Sequence, residues 1–377
     1  MKHLGLYVHI PFCKQKCYYC DFASFPGKEG LQKDYIKALC KEIREAFKTL
    51  DAYIIDSIFI GGGTPSILDT CNMEVLFTEI NNLNKSKDVE YSIECNPGSL
   101  NEEKLKIMKK FGINRISIGL QAVQNELLKS IGRIHDFENF KSNFNLARKY
   151  GFNNINVDLI FALPNQSLND WKETLKTICK MKPEHISAYS LIIEEGTAFY
   201  KLYEKGKINL PKEDLEREMY NIGKKLLKEN GYNQYEISNY CLEGKECRHN
   251  LKYWDMKEWI GVGSNSSSYI DNKRIKNISD VKTYIDTINN DKVPYEEVIE
   301  NTEKDNIEEF MFMGLRKTEG IDEKEFFLRF HKMLDEIYKD VIKKYEKQEL
   351  LVKDKGKLYL TEKGIEVSNI IMADFLL

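Results

Sequence analysis

The chain has 377 residues, enough for two or three domains around a large core. Its 56 Lys and Arg against 59 Asp and Glu leave a formal charge of −3, without the basic excess that general binding to nucleic acid or anionic membrane requires. Nine cysteines, an odd number without a framework of pairs, exclude a disulfide-stapled scaffold and point to a reducing compartment. The start, Met1-Lys2-His3-Leu4-Gly5, has no secretory apolar region, and no apolar run is long enough to span a bilayer. A cytoplasmic protein with no stable membrane anchor is expected.

Along the first half, apolar strands alternate with amphipathic helices, the pattern of a parallel sheet with crossover helices. Leu4–Ile10 reads as a strand entering a cysteine loop, and Leu31, Tyr35, Leu39, Ile43 and Phe47 recur at helical spacing. Further strands are expected at Ile58–Ile60, Tyr91–Glu94, Arg115–Gly119, Ile155–Ile160 and His185–Tyr189, with helices at Glu102–Phe111, Phe137–Tyr150 and Leu168–Lys180. Six strands, each ending near a polar or glycine cluster, predict a partial (β/α)6 barrel with its functional residues at the carboxyl ends of the strands.

From about residue 200 the pattern changes. A helix at Leu215–Asn230 precedes Tyr232–Asn239, Cys247–Trp254 and a glycine- and serine-rich turn at Gly261–Ser268. The tail reads as helices at Ile307–Leu315 and Glu323–Glu346, then a hairpin through Leu350–Val352 and Lys357–Leu360, a winged-helix-like shape. It carries more acidic than basic residues, which argues for a structural or partner-binding module and against DNA. The expected organisation is a barrel over 1–200, an α+β region over 201–302 and the small carboxyl-terminal domain over 303–377.

Cys13, Cys17 and Cys20 form a C-x3-C-x2-C loop. Three thiolates on one short loop can ligate three irons of a cubane cluster and leave the fourth open, as chemistry requires. A structural zinc loop would need a fourth ligand that is not nearby, and three ordinary buried thiols are the remaining alternative. Gly61-Gly62-Gly63-Thr64-Pro65 follows a parallel strand, where consecutive glycines allow backbone N–H groups close to a ligand. Glu94 ends the third strand and could meet an ammonium, although a solvated loop glutamate is an equal reading. Asp158 lies inside an apolar strand, where a charge is costly unless partnered, so it is expected to accept from a ribose hydroxyl or orient Arg133. His135 and His185 read as structural.

Tyr7-Val8-His9-Ile10-Pro11-Phe12-Cys13, the cysteine loop, Gly61–Ser66, Glu94-Cys95-Asn96-Pro97, Gly132-Arg133-Ile134-His135 and Asp158-Leu159-Ile160 occur in order. This set resembles the oxygen-independent coproporphyrinogen oxidase family of radical S-adenosylmethionine (SAM) proteins, from about Leu4 to the carboxyl terminus. The resemblance implies a 4Fe–4S cluster on Cys13, Cys17 and Cys20. It also implies SAM contacts from Tyr7, Gly62, Gly63, Thr64, Glu94, Gln121, Arg133 and Asp158, and an electron donor for the cluster.

Within that family the coproporphyrinogen dehydrogenase branch carries a further cysteine two residues after the last ligand, where this chain has Phe22. The chain is more similar to the sister, heme-chaperone branch, which also carries H-N-x-x-Y-W, here His249-Asn250-Leu251-Lys252-Tyr253-Trp254. By itself His249 reads as a core or hydrogen-bonding histidine. The resemblance implies heme contact through His249, Tyr253 and Trp254, with Arg248 near a propionate and heme-accepting proteins as partners. A radical SAM enzyme of porphyrin metabolism or of another substrate is the alternative. Two departures from the family stand out: Ala122 replaces a serine after Gln121, and Gly261–Tyr269 carries Ser267 for a histidine and Asn265 for a glycine.

Overall fold

The computed structural model describes residues 1–377. Its first half lays down β1 (Lys2–Ile10), α1 (Gln32–Phe47), β2 (Tyr53–Gly62), α2 (Thr70–Asn81), β3 (Lys85–Cys95), α3 (Glu102–Lys110) and β4 (Arg115–Gln121). Then follow α4 (Asn125–Ser130), α5 (Phe137–Lys149), β5 (Ile155–Phe161), α6 (Leu168–Met181) and β6 (His185–Ser190). Consecutive strands pair in parallel, which makes the expected partial (β/α)6 barrel. Alternation along a strand sets its two faces. In β4, Ile116, Ile118 and Leu120 join the buried core, while Ser117, Gly119 and Gln121 line the interior cavity.

The main core gathers 53 buried residues. Trp171 of α6 is 1% exposed and donates its indole N–H to the Met219 carbonyl at 2.8 Å. Trp171→Ala is expected to lower the unfolding free energy by about 3–5 kcal/mol in urea titration, through the lost burial and the cavity left behind.

The second half continues with α7 (Ala198–Glu204), α8 (Glu213–Glu229), β7 (Asn233–Gln234), β8 (Asn239–Cys241) and α9 (Arg248–Trp254). Next come β9 (Trp259–Val262), β10 (Ser267–Ile270), β11 (Lys273–Asn277), α10 (Val281–Asn289) and β12 (Tyr295–Glu300). These strands divide between the two edges of the barrel sheet. β8 pairs antiparallel with β6 and β7 with β8, whereas β9 lies parallel to β1 and β10–β12 extend outward from it. The result is one twelve-stranded sheet, β12-β11-β10-β9-β1-β2-β3-β4-β5-β6-β8-β7.

The tail comprises α11 (Glu303–Gly314), β13 (Ile321–Asp322), α12 (Glu323–Phe330), α13 (Leu334–Lys347), β14 (Leu351–Asp354) and β15 (Lys357–Leu360), and ends in α14 (Glu362–Glu366) and α15 (Ser368–Ala373). Its strands form a three-stranded antiparallel sheet in the order β13-β15-β14, the winged-helix-like arrangement expected. The single helix expected over Glu323–Glu346 is two helices. His331 takes a left-handed conformation (φ +53°) that caps α12, and Phe326 and Phe330 turn onto Phe310 at ring separations of 5.8 and 5.5 Å. Trp259 and Tyr269 belong to the core of this tail, so the outer strands and the small domain share apolar packing. No helix is long and apolar enough to cross a membrane.

Candidate functional site

The cysteine loop leaves β1 at its carboxyl end and is fastened on three sides. The Gly63 and Thr64 N–H groups donate to the carbonyls of Ile10 and Phe12, both at 2.8 Å, and Phe25 N–H donates to the Pro11 carbonyl at 2.8 Å. Across the barrel mouth, Tyr18 N–H donates to the Ile131 carbonyl (3.0 Å) and the Gln15 amide to that of Gly132 (3.0 Å). On the third side Phe199 N–H, in α7, donates to the Tyr18 carbonyl at 2.9 Å. All nine cysteines are free thiols, and Cys13, Cys17 and Cys20 line one cavity of about 450 Å³.

The glycines beside the loop sit where neighbouring protein atoms leave no space for a side chain. Gly62 has φ +109°, and a Cβ there would lie 2.5 Å from the His9 imidazole; on Gly63 it would lie 2.6 Å from the Phe12 carbonyl oxygen and 3.1 Å from Cys13 Sγ. The Gly62 N–H donates to Glu94 Oε2 at 3.0 Å, and Thr64 Oγ1 lies 3.3 Å from Cys13 Sγ. Asp158 and Glu94 face the same cavity. Burial, and secondly the Asp158 charge, push the Glu94 carboxyl up to about 8. That is the state of a carboxylate lacking a cation, and it suits the ammonium of an amino acid.

Arg133 donates to Cys17 Sγ at 3.4 Å, to Asn96 Oδ1 at 3.0 Å and to the Gly119 carbonyl, while its Nε has no partner. Gln121 Oε1 is likewise buried without a partner, on a residue at φ +74°. Orphaned polar atoms of this kind at one cavity are what a polar ligand would satisfy. The cysteines, the glycine cradle and these groups fit a 4Fe–4S cluster with SAM beside it. Of the residues expected at SAM, Gly62, Gly63, Thr64, Glu94, Gln121, Arg133 and Asp158 line the cavity. Tyr7 stands back from the wall, its hydroxyl 3.0 Å from His9 Nδ1 and its ring stacked on Phe59. Asp158 makes no hydrogen bond to Arg133; it accepts from Ser117 and Asn156 at 2.9 and 2.8 Å. Asn96 was not singled out, yet it bridges Arg133 and Thr64. Ser117 could have been found from its place among alternating apolar residues of β4.

Phe22 stands 63% exposed at the cavity rim with Ile192 at 66%, beside Tyr189. His249, by contrast, is 1% exposed beneath the barrel. Its Nδ1 lies 3.0 Å from Ser57 Oγ, its Nε2 lies 2.8 Å from the Tyr253 hydroxyl, and its ring stacks on Phe59 at 5.5 Å. Burial, then the charges of Lys252 and Arg115, lower its pKa to about 3, so the ring is neutral. Glu90 caps α9, accepting from the N–H groups of Arg248 and His249, both at 3.1 Å. Arg248 is spent on Asp88 and the Asp56 carbonyl, and Trp254 stacks under the Arg316 guanidinium. The cysteine site and His249-Tyr253-Trp254 are therefore separate places, the cavity at the mouth of the barrel and the motif at its floor. Ser267 is exposed on β10, its carbonyl accepting from the Trp259 indole (2.9 Å). Asn265 occupies φ +56°, which asparagine tolerates better than most residues, and this accounts for its standing in place of glycine.

Residues 7–178 match the Radical SAM superfamily and residues 301–367 the HemN C-terminal domain. The fold is that of the Escherichia coli coproporphyrinogen III oxidase HemN, a radical SAM enzyme, with a TM-score of 0.87 at 22% identity over 100% of this chain and 90% of that one. The fold and cavity thus define a radical SAM protein, a class that implies a 4Fe–4S cluster and SAM. Proteins named heme chaperone HemW match nearly end to end. The Bacillus subtilis protein is 39% identical over 98% of both chains, and the Lactococcus lactis protein 38% identical over 98% of this chain and 97% of its own. The chain belongs to the HemW family.

Proposed function

We propose that the chain is a heme chaperone that binds heme and passes it to acceptor proteins, on a radical SAM scaffold. The carrying observation is its near end-to-end likeness to relatives named for that role, in a chain with Phe22 where the dehydrogenase branch has cysteine. Cys13, Cys17 and Cys20 hold the cluster; Gly62, Gly63 and Thr64 cradle the SAM amino acid, Glu94 pairs its ammonium, and Gln121, Arg133 and Asp158 hold its carboxylate and ribose. The cluster with SAM supplies one-electron chemistry, and Arg133 also shields Cys17 with positive charge. Heme contacts His249, Tyr253 and Trp254. Because His249 is buried against Ser57 and Phe59 and its Nε2 meets the Tyr253 hydroxyl of the same helix, ligation through Nε2 requires that hydroxyl to swing aside and α9 to part from the barrel floor.

Anaerobic heme titration of the cluster-reconstituted protein, followed by Soret absorption, tests this reading. Saturable binding near one equivalent is expected, with His249→Ala weakening it at least about tenfold. Tyr253→Phe frees Nε2 and is expected to tighten it. Failure of the parent to bind heme would overturn the chaperone, and unchanged affinity in His249→Ala would move the ligand elsewhere.

A further inference from the structure

Between the cavity and the floor runs a chain of buried hydrogen bonds whose proton positions can be assigned by elimination. Asp158 accepts at both oxygens, the hydrogen bonds from Ser117 and Asn156 opposing the burial that raises its pKa, so the Asn156 amide nitrogen, 2.8 Å from Oδ1, faces it. The same nitrogen donates to Ser117 Oγ at 2.8 Å, and the Ser117 hydroxyl donates to Asp158 Oδ2 at 2.9 Å. The Asn156 carbonyl oxygen then points away, 2.6 Å from His185 Nδ1. An oxygen there requires that Nδ1 carry the proton, which leaves Nε2 bare to accept from the Tyr235 hydroxyl at 2.8 Å. Tyr235 in turn accepts from the N–H of Cys247, the residue that opens α9, at 3.2 Å. Every link points from the helix bearing His249 toward Asp158.

His185 is wholly buried, and burial together with the charge of Arg115 holds it neutral. Were Nε2 to carry the proton instead, Nδ1 would oppose the Asn156 oxygen lone pair to lone pair, and Nε2 would face the Tyr235 hydroxyl with the opposite polarity. Buried polar atoms without partners are expensive, so the tautomer and the Asn156 orientation fix each other. His185 and Asn156 touch no part of the cavity, whereas Asp158 and Ser117 line it.

We propose that His185 is a positioning residue of the SAM cavity, holding the Asp158 carboxylate through Asn156 and tying its orientation, through Tyr235, to the helix that carries His249. The proposal deepens the functional reading above and rests on Asp158 facing SAM. Two measurements on the full-length, cluster-reconstituted protein test it. Selective 15N-histidine NMR, with only six histidines to resolve, reads the tautomer of His185 without any ligand; the Nδ1–H form is expected across neutral pH, and the Nε2–H form or a cation would overturn the assignment.

Equilibrium binding of SAM reads the consequence. His185→Phe is expected to weaken SAM about tenfold at unchanged iron content, and His185→Asn, which keeps a donor toward Asn156, to recover most of that loss. Tyr235→Phe removes only a hydroxyl, and its SAM affinity is expected to fall about threefold even if His185→Phe does not fold. If Asp158→Asn loses SAM while the His185 and Tyr235 variants bind within about twofold of the parent, the positioning role is overturned. If Asp158→Asn also binds SAM unchanged, the cofactor reading of Asp158 fails and takes the positioning role with it, leaving the tautomer as a structural fact.

Discussion

Chains carrying Cys13→Ala, Cys17→Ala or Cys20→Ala, reconstituted anaerobically with iron and sulfide, are expected to retain less than about a tenth of the parent's iron and to lose its visible absorption. On the proposed assignment the three thiolates would be the whole protein share of the cluster, with one iron left open for SAM. Two remaining ligands would leave the cluster exposed to hydrolysis. The loop's own clamps, at Pro11, Tyr18 and Gln15, involve backbone or other side chains and are untouched by these changes. Lost iron would therefore report ligation rather than unfolding. Cys71→Ala, at an exposed thiol outside the cavity, is the matched control and should load iron normally. Full iron in any of the three loop variants would overturn the assignment.

Glu94 carries the second large effect. Its pKa rises from the usual carboxylate range to about 8 in the ligand-free fold, first through burial and then through Asp158. A raised folded-state pKa means that the native chain binds more protons than the unfolded one between the two values, so stability falls with rising pH across that window. The stabilisation is fully present below about pH 4.5 and is lost as pH passes through 8. Its size is on the order of a few kcal/mol before allowance for water in the cavity. Glu42, raised to about 7 by burial, adds the same sign in an overlapping window. Glu94→Gln should flatten the pH dependence of urea unfolding without abolishing it, and leave the chain more stable than the parent at pH 8. The variant should also bind SAM about ten- to a hundredfold more weakly, having lost the ammonium's partner. An unaltered pH slope would show that Glu94 is ionised in the free cavity.

The parts of this architecture that were legible in the amino-acid sequence are those set by local spacing. The cysteine loop, the glycine run and the six barrel strands follow from residues close together in the chain. Asp158 announced itself as a charge in an apolar strand, although its partners are Ser117 and Asn156 and not Arg133. What escaped depends on distant pairing. β9 through β12 are short, and β9 becomes a strand because Gly5–Val8 offers it an edge about 250 residues away. His249 reads as a core or hydrogen-bonding histidine and is one, but its partners Ser57 and Phe59 lie about 190 residues away and could not be read. α2 is a different case, since Met73, Leu76, Phe77 and Ile80 repeat at helical spacing behind the Asp69 cap and could have been read.

The pairing of β9 with β1 also sets the order in which the molecule can be finished during synthesis. β1 leads directly into the cysteine loop, yet one of its edges stays bare until residues 259–262 have left the ribosome. The support behind His9 is completed no earlier: Tyr35, which donates to the His9 carbonyl, accepts from Ser264 N–H, and Gly263 N–H donates to Glu42. At about 5–20 residues per second, the ligands wait on the order of ten seconds or more for their scaffold. Iron delivered before then would meet a loop without its backing, so cluster insertion is expected only once residues 259–264 have emerged and closed over the first strand.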